Sequence, residues 1–386
     1  MSSAAARPLS SPPAVSASLV ALSPTPPMGW NPWYMFGCKA SEQLIEQTAQ
    51  AIVSSGMAAA GYRYVNLDDC WMAASRDSAG ALQADPANFP DGIPALASYV
   101  HGLGLKLGIY LDAGTQTCME RAGSADHFAQ DAATVASWGV DLIKVDYCYT
   151  NLVPAQPVYA QVQQAVLAAG RPIVLSVSDD GFDRPWLWGP GLASMWRTTN
   201  DYTAYGAQFG NWWAAVLKIA DINAGLARFA QPGAWNDPDI LLTGTGLLTT
   251  SQDRAQFSLW SVMAAPLLTD NDVRSMSPAT AAILTNREVI AVDQDSAGRQ
   301  GVRISNRGGH QVWLKRLANG SVAVLFLNTG PASARITASA SRVGLPARRR
   351  YAVRDLWRHR SWTSSARTIG ARVGPDDVVM LRLRPS

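Results

Sequence analysis

One repeating unit constrains the fold of this chain more than any other feature of its sequence. From about residue 25, an apolar strand candidate leads into a polar loop that carries Asp, Cys or Trp, and then into an amphipathic helix candidate. The unit recurs every few tens of residues, which is the spacing of βα units. The strand candidates are residues 28–30, 64–67, 105–111, 141–145, 172–177 and 194–197, with two more near Trp235 and Pro266. Eight such units predict an α/β fold, a (β/α)₈ TIM barrel over residues 25–300.

Two further segments flank the predicted barrel. Residues 1–24 are rich in Ala, Ser and Pro, and we interpret them as a flexible lead-in. After residue 300, short alternating apolar runs are separated by Asn-Gly, Gly-Gly and Pro-containing turns, so residues 301–386 are predicted to form a small antiparallel β-sandwich domain. The predicted strands of this domain are residues 302–304, 311–317, 321–328, 334–338, 351–356 and 378–383. A doubly wound sheet is the alternative for the first domain, but no Gly-x-Gly-x-x-Gly or P-loop follows its first strand.

Composition and charge exclude several classes of partner. The chain is 48% hydrophobic and 16% charged, as expected of a well-packed globular protein. Its net charge is +3, and the three consecutive arginines at 348–350 lack the interleaved aromatics of a nucleic-acid site. No segment is long and apolar enough to span a bilayer or to act as a signal peptide. We therefore expect neither nucleic acid nor a membrane as a partner.

Cysteine and histidine placement gives little support for a metal site. The cysteines are Cys38, Cys70, Cys118 and Cys148. They allow three disulfide pairings, or four buried free thiols in a cytosolic enzyme, and no Cys-x-x-Cys occurs. The histidines are His101, His127, His310 and His359, which we place on helices or in the β domain. A metal-dependent barrel hydrolase would instead need clustered histidine ligands, so we expect no metal.

Carboxylates accumulate where the barrel strands are expected to end. They are Asp68, Asp69, Asp112, Asp146, Asp179, Asp180, Asp201, Asp237 and Asp239. Tryptophans lie nearby in the sequence: Trp30, Trp33, Trp71, Trp188, Trp196 and Trp235. Any single Asp is better explained as a helix N-cap. The whole set predicts a sugar pocket, in which carboxylates bind hydroxyls and aromatic rings cover the apolar face of the sugar.

Seven segments, in order, resemble the motifs of the α-galactosidase and α-N-acetylgalactosaminidase enzymes of glycoside hydrolase family 27. They are PPMGWNPW (26–33), YVNLDDCW (64–71), GLKLGIYLDAGTQTC (104–118), GVDLIKVDYC (139–148), WRTTND (196–201), PGAWNDPDIL (232–241) and EVIAVDQD (288–295). The resemblance extends from about residue 25 to residue 301, and the predicted β domain stands where the family has one. It implies an exo-glycosidase that removes terminal α-D-galactosyl residues with retention and without a cofactor.

The resemblance implies a catalytic pair of carboxylates. Asp146 would be the nucleophile and Asp201 the general acid/base, and a retaining mechanism calls for a carboxyl separation of about 5 to 5.5 Å. Lys144 lies two residues before Asp146 on the same strand face and would favour its ionised form. Asp201 must be protonated when it meets the glycosidic oxygen, which calls for a raised pKa.

Positions that match the family's motifs also imply the substrate-binding residues. Asp68 and Asp69 would bind the 4- and 6-hydroxyls, with Trp33 on the apolar face of the ring. Tyr110 and Lys144 would lie beside the nucleophile, Arg197 and Asp179 would reach the 2-position, and Asp239 and Ile240 would line the wall. The family's disulfides imply the pairs Cys38–Cys70 and Cys118–Cys148, and disulfides favour an extracellular or secretory compartment.

One departure from the family leaves the choice of sugar open. Where members have Cys, Glu and Trp, this chain has Ser178, Asp179 and Asp180, followed by Gly181. With Asp179 in the place of the glutamate, a partner for a 2-hydroxyl remains. In a register shifted by one, Ser178 and Gly181 would leave room for a 2-acetamido group.

Further alternatives follow from the family and from the class of protein. Pro32 and Tyr34 also depart from the first motif, and β-L-arabinopyranosides and isomaltosyl linkages are alternative substrates. The expected partner is an α-galactoside oligosaccharide, polysaccharide or glycoconjugate. A non-catalytic sugar-binding barrel is disfavoured, because binding alone needs no acid/base pair.

Overall fold

The computed structural model describes residues 14–151, 153–345 and 350–385, and it confirms the predicted barrel with its C-terminal β domain. Eight parallel strands form the barrel sheet. They are β1 (Met28–Trp30), β2 (Tyr64–Asn66), β3 (Lys106–Asp112), β4 (Leu142–Asp146), β5 (Val174–Ser178), β6 (Met195–Arg197), β7 (Trp235–Asp237) and β8 (Leu267–Thr269). The first six strands lie within two residues of their predicted bounds, and β7 and β8 begin at Trp235 and just after Pro266, where strands were expected. A strand buried on both faces is a short apolar run that the sequence displays directly.

The strands follow one another around the sheet in the order β7-β6-β5-β4-β3-β2-β1-β8. The gap between β7 and β8 is bridged just beyond β7, where Leu241 pairs with Thr269 in a parallel bridge and its amide donates to the Leu268 carbonyl at 2.7 Å. Since all eight strands are parallel, their carboxyl ends meet at one rim. The Asp-rich loops of the sequence are thereby gathered on one face of the barrel.

Eleven α-helices are described. They are α1 (Ala17–Leu22), α2 (Trp33–Phe36), α3 (Glu42–Ser54), α4 (Met57–Ala60), α5 (Gly92–Gly102), α6 (Phe128–Ser137), α7 (Ala155–Ala168), α8 (Trp212–Asn223), α9 (Thr250–Met263), α10 (Pro278–Leu284) and α11 (Arg287–Asp293). α3 shows why these segments are helical: Ser41 accepts a hydrogen bond from the Leu44 amide at its start, and one face, including Ile45 and Ile52, is buried. Within the described residues, no helix is long and apolar enough to cross a bilayer.

The segment before the barrel contains more structure than the sequence predicts. Residues 14–24 of the predicted lead-in are described, and they include helix α1, capped by the Ser16 hydroxyl. The segment is anchored beyond the helix, because Trp235 Nε1 donates to the Ser23 carbonyl at 3.0 Å. The first 13 residues lie outside the described part of the chain.

The β domain contains a six-stranded antiparallel sheet that covers the barrel and a two-stranded sheet outside it. Its strands are β9 (Val302–Arg307), β10 (His310–Arg316), β11 (Val322–Asn328), β12 (Ala334–Ser339), β13 (Tyr351–Asp355), β14 (Arg360–Ser364), β15 (Thr368–Val373) and β16 (Asp377–Pro385). The large sheet has the order β14-β13-β16-β11-β10-β9, and β12 pairs with β15. β11 is buried along its whole length: Leu325 faces the barrel and Phe326 the outer sheet.

Two strands of this domain were absent from the sequence prediction. β14 is exposed and polar, as suits an edge strand, and β15 has only two buried residues, Ile369 and Val373. Neither strand therefore shows a clear alternation of apolar and polar residues. Of the arginine run, Arg350 is exposed, whereas Arg348 and Arg349 lie outside the described residues.

Candidate active site

A cavity of about 620 Å³ opens at the carboxyl ends of the barrel strands. All eleven side chains that the sequence assigns to catalysis or substrate binding line it. They are Trp33, Asp68, Asp69, Tyr110, Lys144, Asp146, Asp179, Arg197, Asp201, Asp239 and Ile240. These residues come from seven different loops or strand ends, so only closure of the barrel brings them together.

Strand β4 places Lys144 and Asp146 on the cavity side. Lys144 Nζ lies 3.6 Å from Asp146 Oδ1 and 3.0 Å from Asp68 Oδ2, and it sits 5.1 Å from the centre of the Tyr110 ring. Burial raises the pKa of Asp146 to about 7, while the positive charge of Lys144 lowers it. Burial acts to lower the pKa of Lys144, but the charges of Asp146 and Asp68 raise it overall. Lys144 therefore stays charged, and it favours the ionised Asp146 against the larger effect of burial.

The paired carboxylates after β2 are held rigidly. Asp68 Oδ2 accepts a 2.6 Å hydrogen bond from Asn31 Nδ2 in the loop after β1. Asp69 accepts from the Cys70 amide at 2.6 Å and from the Met119 amide at 2.9 Å. These bonds tie the loops after β1, β2 and β3 together, so the orientation of both carboxylates is fixed before any ligand binds.

A second charged network surrounds Asp201. Arg197 Nη2 lies 3.0 Å from Asp201 Oδ1 and 2.9 Å from Asp239 Oδ2. The Tyr34 hydroxyl donates to Asp239 Oδ2 at 2.7 Å and accepts from the Tyr202 amide at 3.4 Å. The Asp201 side chain is 37% exposed, compared with 17% for that of Asp146. Solvent and a leaving group therefore reach Asp201 more easily.

In the loop after β5, the carboxylate without a hydrogen bond is Asp180, and not Asp179 as the sequence interpretation assumed. Asp179 is buried, and its two oxygens accept from the Gly181 and Asp183 amides, both at 3.1 Å. Asp180 has a left-handed φ of 55°, lines the cavity, and accepts no hydrogen bond from any described residue. Burial raises the pKa of Asp180, and the charge of Arg197 lowers it. Asp179 thus shapes the loop, while Asp180 offers the free acceptor.

Two disulfides brace the rim, with the pairing that the resemblance implies. Cys38 is bonded to Cys70, and Cys118 to Cys148. Cys118 Sγ lies 3.7 Å from Asp146 Oδ2, so the second disulfide directly borders the predicted nucleophile. Behind it, buried Asp112 accepts hydrogen bonds from the Gly114 and Cys148 amides, which holds the loop after β4 in place.

The described residues contain one grouping of potential metal ligands, formed by Asp112, Cys118 and Cys148. Both sulfurs belong to the same disulfide, so neither is a thiolate ligand. Among the four histidines, His101 pairs with Asp141 at 2.8 Å and His359 with Glu288 at 2.6 Å, and both pairs lie away from the cavity lining.

The prediction that many tryptophans line the pocket is wrong. Trp33 alone among the six borders the cavity. Trp30, Trp71, Trp196 and Trp235 are almost fully buried, and Trp188 is 8% exposed. Their indole N–H groups bond inside the protein, as when Trp30 donates to the Asn271 carbonyl and Trp71 to the Tyr110 carbonyl. Proximity in sequence to a strand end does not distinguish a ring that faces the cavity from one that packs behind the sheet.

The family follows from comparison with known proteins. Residues 25–295 match the sequence model of the family described as Alpha galactosidase A, and residues 307–383 match the one described as Alpha galactosidase C-terminal beta sandwich domain. The chain belongs to the α-galactosidase (melibiase) family. The first match covers the whole barrel, including every residue that lines the cavity.

Several members of the α-galactosidase family resemble the chain over most of its length. Alpha-galactosidase A of Cellvibrio japonicus is 48% identical over 80% of this chain and 76% of its own. Alpha-N-acetylgalactosaminidase of Gallus gallus is 38% identical over 94% of both chains. Among solved structures, alpha-galactosidase I of Mortierella vinacea superimposes with a TM-score of 0.88 at 34% identity, covering 94% of this chain and 97% of that one.

The predicted site omitted several residues that line the cavity, and three of these interact with predicted site residues. They are Asn31, Tyr34 and Asp180. Asn31 and Tyr34 flank Trp33 closely in the first motif, so their place in sequence gave a signal. For Asp180 the signal was ambiguous, because two consecutive carboxylates follow β5 and the sequence does not show which one accepts hydrogen bonds from amides of its own loop.

Replacement of Lys144 tests whether its positive charge lowers the pKa of Asp146. Lys144 lowers the pKa of Asp146, so Lys144→Met raises that pKa further and reduces the ionised fraction at any given pH. We expect the acid limb of the pH profile of kcat/KM to move to higher pH by about one to three units. Lys106→Met removes a charge from the exposed beginning of β3 and should leave the limb in place. An unshifted limb in Lys144→Met would contradict this electrostatic assignment.

Proposed function

We propose that this protein is a retaining α-galactosidase that works by double displacement. Asp146 attacks the anomeric carbon of an α-galactoside while Asp201 protonates the glycosidic oxygen, so the bond to the leaving group breaks and a β-galactosyl ester forms on Asp146. Asp201 then removes a proton from water, the water oxygen attacks the same carbon, and Asp146 is released as the carboxylate. The product is α-galactose, and Asp201 is again protonated.

The single observation that carries this proposal is the placement of two carboxylates with different surroundings in one cavity. Asp146 is the more buried and lies beside Lys144, whose positive charge favours the ionised, nucleophilic carboxylate. Asp201 is the more exposed and bonded to Arg197, at the position where leaving group and water would enter.

The loop after β5 favours a 2-hydroxyl over a 2-acetamido group. In the alternative register, Ser178 and Gly181 together would provide the space for the acetyl group. Ser178 lines the cavity, but Gly181 does not, and a Cβ on Gly181 would lie 2.6 Å from the Thr198 carbonyl oxygen. The carboxylate of Asp180 stands at the cavity wall instead, where it can accept a hydrogen bond from a hydroxyl and would occupy space that an acetamido group needs.

The partners and compartment follow from the same features. The proposed substrates are α-galactosyl oligosaccharides, polysaccharides or glycoconjugates, because the chain belongs to the α-galactosidase family. Two disulfides at the pocket rim support an oxidising, extracellular or secretory compartment. No step of the proposed mechanism requires a cofactor, since both proton transfers are assigned to Asp201.

A panel of p-nitrophenyl glycosides tests the sugar preference. We expect the α-D-galactopyranoside to be hydrolysed with kcat/KM at least about 100-fold above that of the α-N-acetylgalactosaminide. The β-L-arabinopyranoside, which lacks the 6-hydroxyl assigned to Asp68 and Asp69, should be a poorer substrate. Proton NMR of the early product should show α-galactose. Preferential turnover of the acetamido substrate, or early release of β-galactose, would contradict the proposal.

A further inference from the structure

Charge is divided unevenly between the two domains. Residues 301–386 contain 16 Lys and Arg residues, three Asp and no Glu, which gives a net charge of +13. Residues 1–300 contain 16 Lys and Arg residues and 26 Asp and Glu residues, which gives a net charge of −10. Such a separation of charge within one chain indicates that the basic part binds an acidic partner. A polyanion is therefore attracted to the β domain and repelled by the barrel.

Most of the basic charge of the β domain lies on its surface and is not neutralised by neighbouring acids. Ten arginines of residues 301–386 are exposed in the described structure. Of these ten, only Arg358 forms an ion pair with a described carboxylate, and that pair is long, with 3.9 Å between its Nη1 and Asp355 Oδ2. Most of this surface charge therefore remains available to anionic groups of a partner.

The outer two-stranded sheet places two of these arginines side by side. Arg335 on β12 is directly opposite Arg372 on β15, and both are exposed. Like charges directly opposite each other on an antiparallel pair of strands are destabilising. The other side chains on this face carry hydroxyls, on Thr337, Ser339 and Thr368, and all three are exposed. An anion between the two guanidinium groups would relieve their repulsion.

A groove of about 450 Å³ adjoins this pair of arginines. Arg358 and Arg372 line it, together with Trp362 of β14, which is 46% exposed and is the only aromatic residue of the lining. Buried Asp355 also lines it. Asp355 Oδ1 accepts hydrogen bonds from the Trp357 and Arg358 amides at 3.0 and 2.9 Å, whereas Oδ2 accepts none from a described residue. The groove thus offers one indole ring, two guanidinium groups and one carboxylate oxygen.

We propose that this groove and the adjoining pair of arginines bind an acidic polysaccharide made of uronic acids. A pyranose ring has an apolar face of C–H groups, which the indole of Trp362 can cover. Each uronic acid also carries a carboxylate, which the guanidinium group of Arg358 or Arg372 can bind through two parallel hydrogen bonds. None of the residues that line the groove lines the catalytic cavity, so the bound polysaccharide leaves the cavity open.

Other anionic partners match the surface less well. Proteins that bind single-stranded nucleic acid stack successive bases on several aromatic rings, but Trp362 is the only exposed Phe, Tyr or Trp of the described β domain. Proteins that bind a lipid surface insert apolar side chains, but the face around Arg335 and Arg372 carries hydroxyls. A neutral polysaccharide would not account for the excess of arginine.

Calorimetry with size-defined oligogalacturonates tests the proposal. We expect Arg335→Gln and Arg372→Gln each to weaken binding about 5- to 10-fold, because each removes a charged hydrogen-bonding partner. Trp362→Ala should weaken it by a similar factor, about 5- to 10-fold. Raising the NaCl concentration from about 50 to about 500 mM should weaken binding to the unmodified protein about 10-fold or more, because salt screens exposed charges.

Arg63→Gln is the matched control. Arg63 is exposed just before β2 of the barrel, so its replacement removes the same charge elsewhere and should not change the affinity. Arg372→Gln should not lower the melting temperature, because it removes a repulsion rather than an attraction. A loss of affinity in Arg63→Gln equal to that in Arg372→Gln would contradict a localised site.

The binding assay is independent of the proposed catalytic function. The kcat/KM for p-nitrophenyl α-galactoside should stay within about twofold of wild type in all three β-domain variants, because none of them alters the cavity. Unchanged oligogalacturonate affinity in these variants would overturn the proposal, as would equally tight binding of neutral galactomannan. Tighter binding of duplex DNA, dextran sulfate or phosphatidylglycerol vesicles at the same salt concentration would also overturn the assignment to uronic acids.

Discussion

Asp146→Asn is expected to abolish hydrolysis of α-galactosides. An amide cannot form the glycosyl ester, so kcat for p-nitrophenyl α-galactoside should fall on the order of 10⁴-fold or more, the scale seen when a covalent nucleophile is removed. The substitution conserves shape, and Lys144 keeps its second partner, Asp68, at 3.0 Å. The melting temperature should therefore change little, and circular dichroism can check that the fold is retained.

The control for this variant is the same chemical change on the barrel surface. Asp221→Asn lies on α8, where the side chain is 48% exposed and pairs with Arg303. It should retain wild-type kcat and KM. If Asp146→Asn kept more than about a hundredth of wild-type kcat while Asp221→Asn behaved as expected, covalent attack by Asp146 would be excluded.

Asp201→Asn should reduce activity in a way that depends on the leaving group. Melibiose needs a proton on its departing sugar oxygen, so its kcat/KM should fall about 10²- to 10⁴-fold. p-Nitrophenolate leaves without full protonation. The rate of the first step, formation of the glycosyl ester, should therefore fall less with the aryl substrate than with melibiose. The second step lacks its general base, and rapid-mixing experiments should therefore show a burst of p-nitrophenol followed by slow turnover.

Added azide distinguishes loss of the acid/base from a general loss of structure. Azide needs no general base, so it should accelerate turnover of the aryl substrate by Asp201→Asn and yield α-galactosyl azide, which NMR identifies. It should not accelerate Asp221→Asn. Equal losses on melibiose and the aryl galactoside, with no response to azide, would be inconsistent with an acid/base role for Asp201.

The barrel was predictable because its strands are buried on both faces. Runs such as the one that ends at Asp146 are mostly apolar, and a carboxylate follows where the strand reaches the surface. β11 was likewise found because both of its faces are covered, whereas β14 was missed because its residues are largely exposed. The sequence therefore predicts those elements whose stability comes from their own apolar residues.

The candidate site was predictable to a different degree for each kind of residue. Asp146 and Asp201 stand in motifs that resemble those of a known family, so their positions could be assigned without coordinates. The buried Trp196 and the cavity-lining Trp33 both occur within such motifs, and sequence alone did not separate them. The direction of a side chain depends on the strand twist and the packing of neighbouring loops, which the motif does not encode.

The sequence by itself determined the architecture and the family, because local apolar patterns and family-like motifs are properties of short segments. Only the tertiary structure decided that Asp179 accepts hydrogen bonds from its own loop while Asp180 does not, and that Tyr34 reaches Asp239. It also brought Val153 and Phe182 into the lining of one cavity. Each of these relations depends on backbone dihedrals or on loops from different strands that meet when the barrel closes, and no short segment contains both partners.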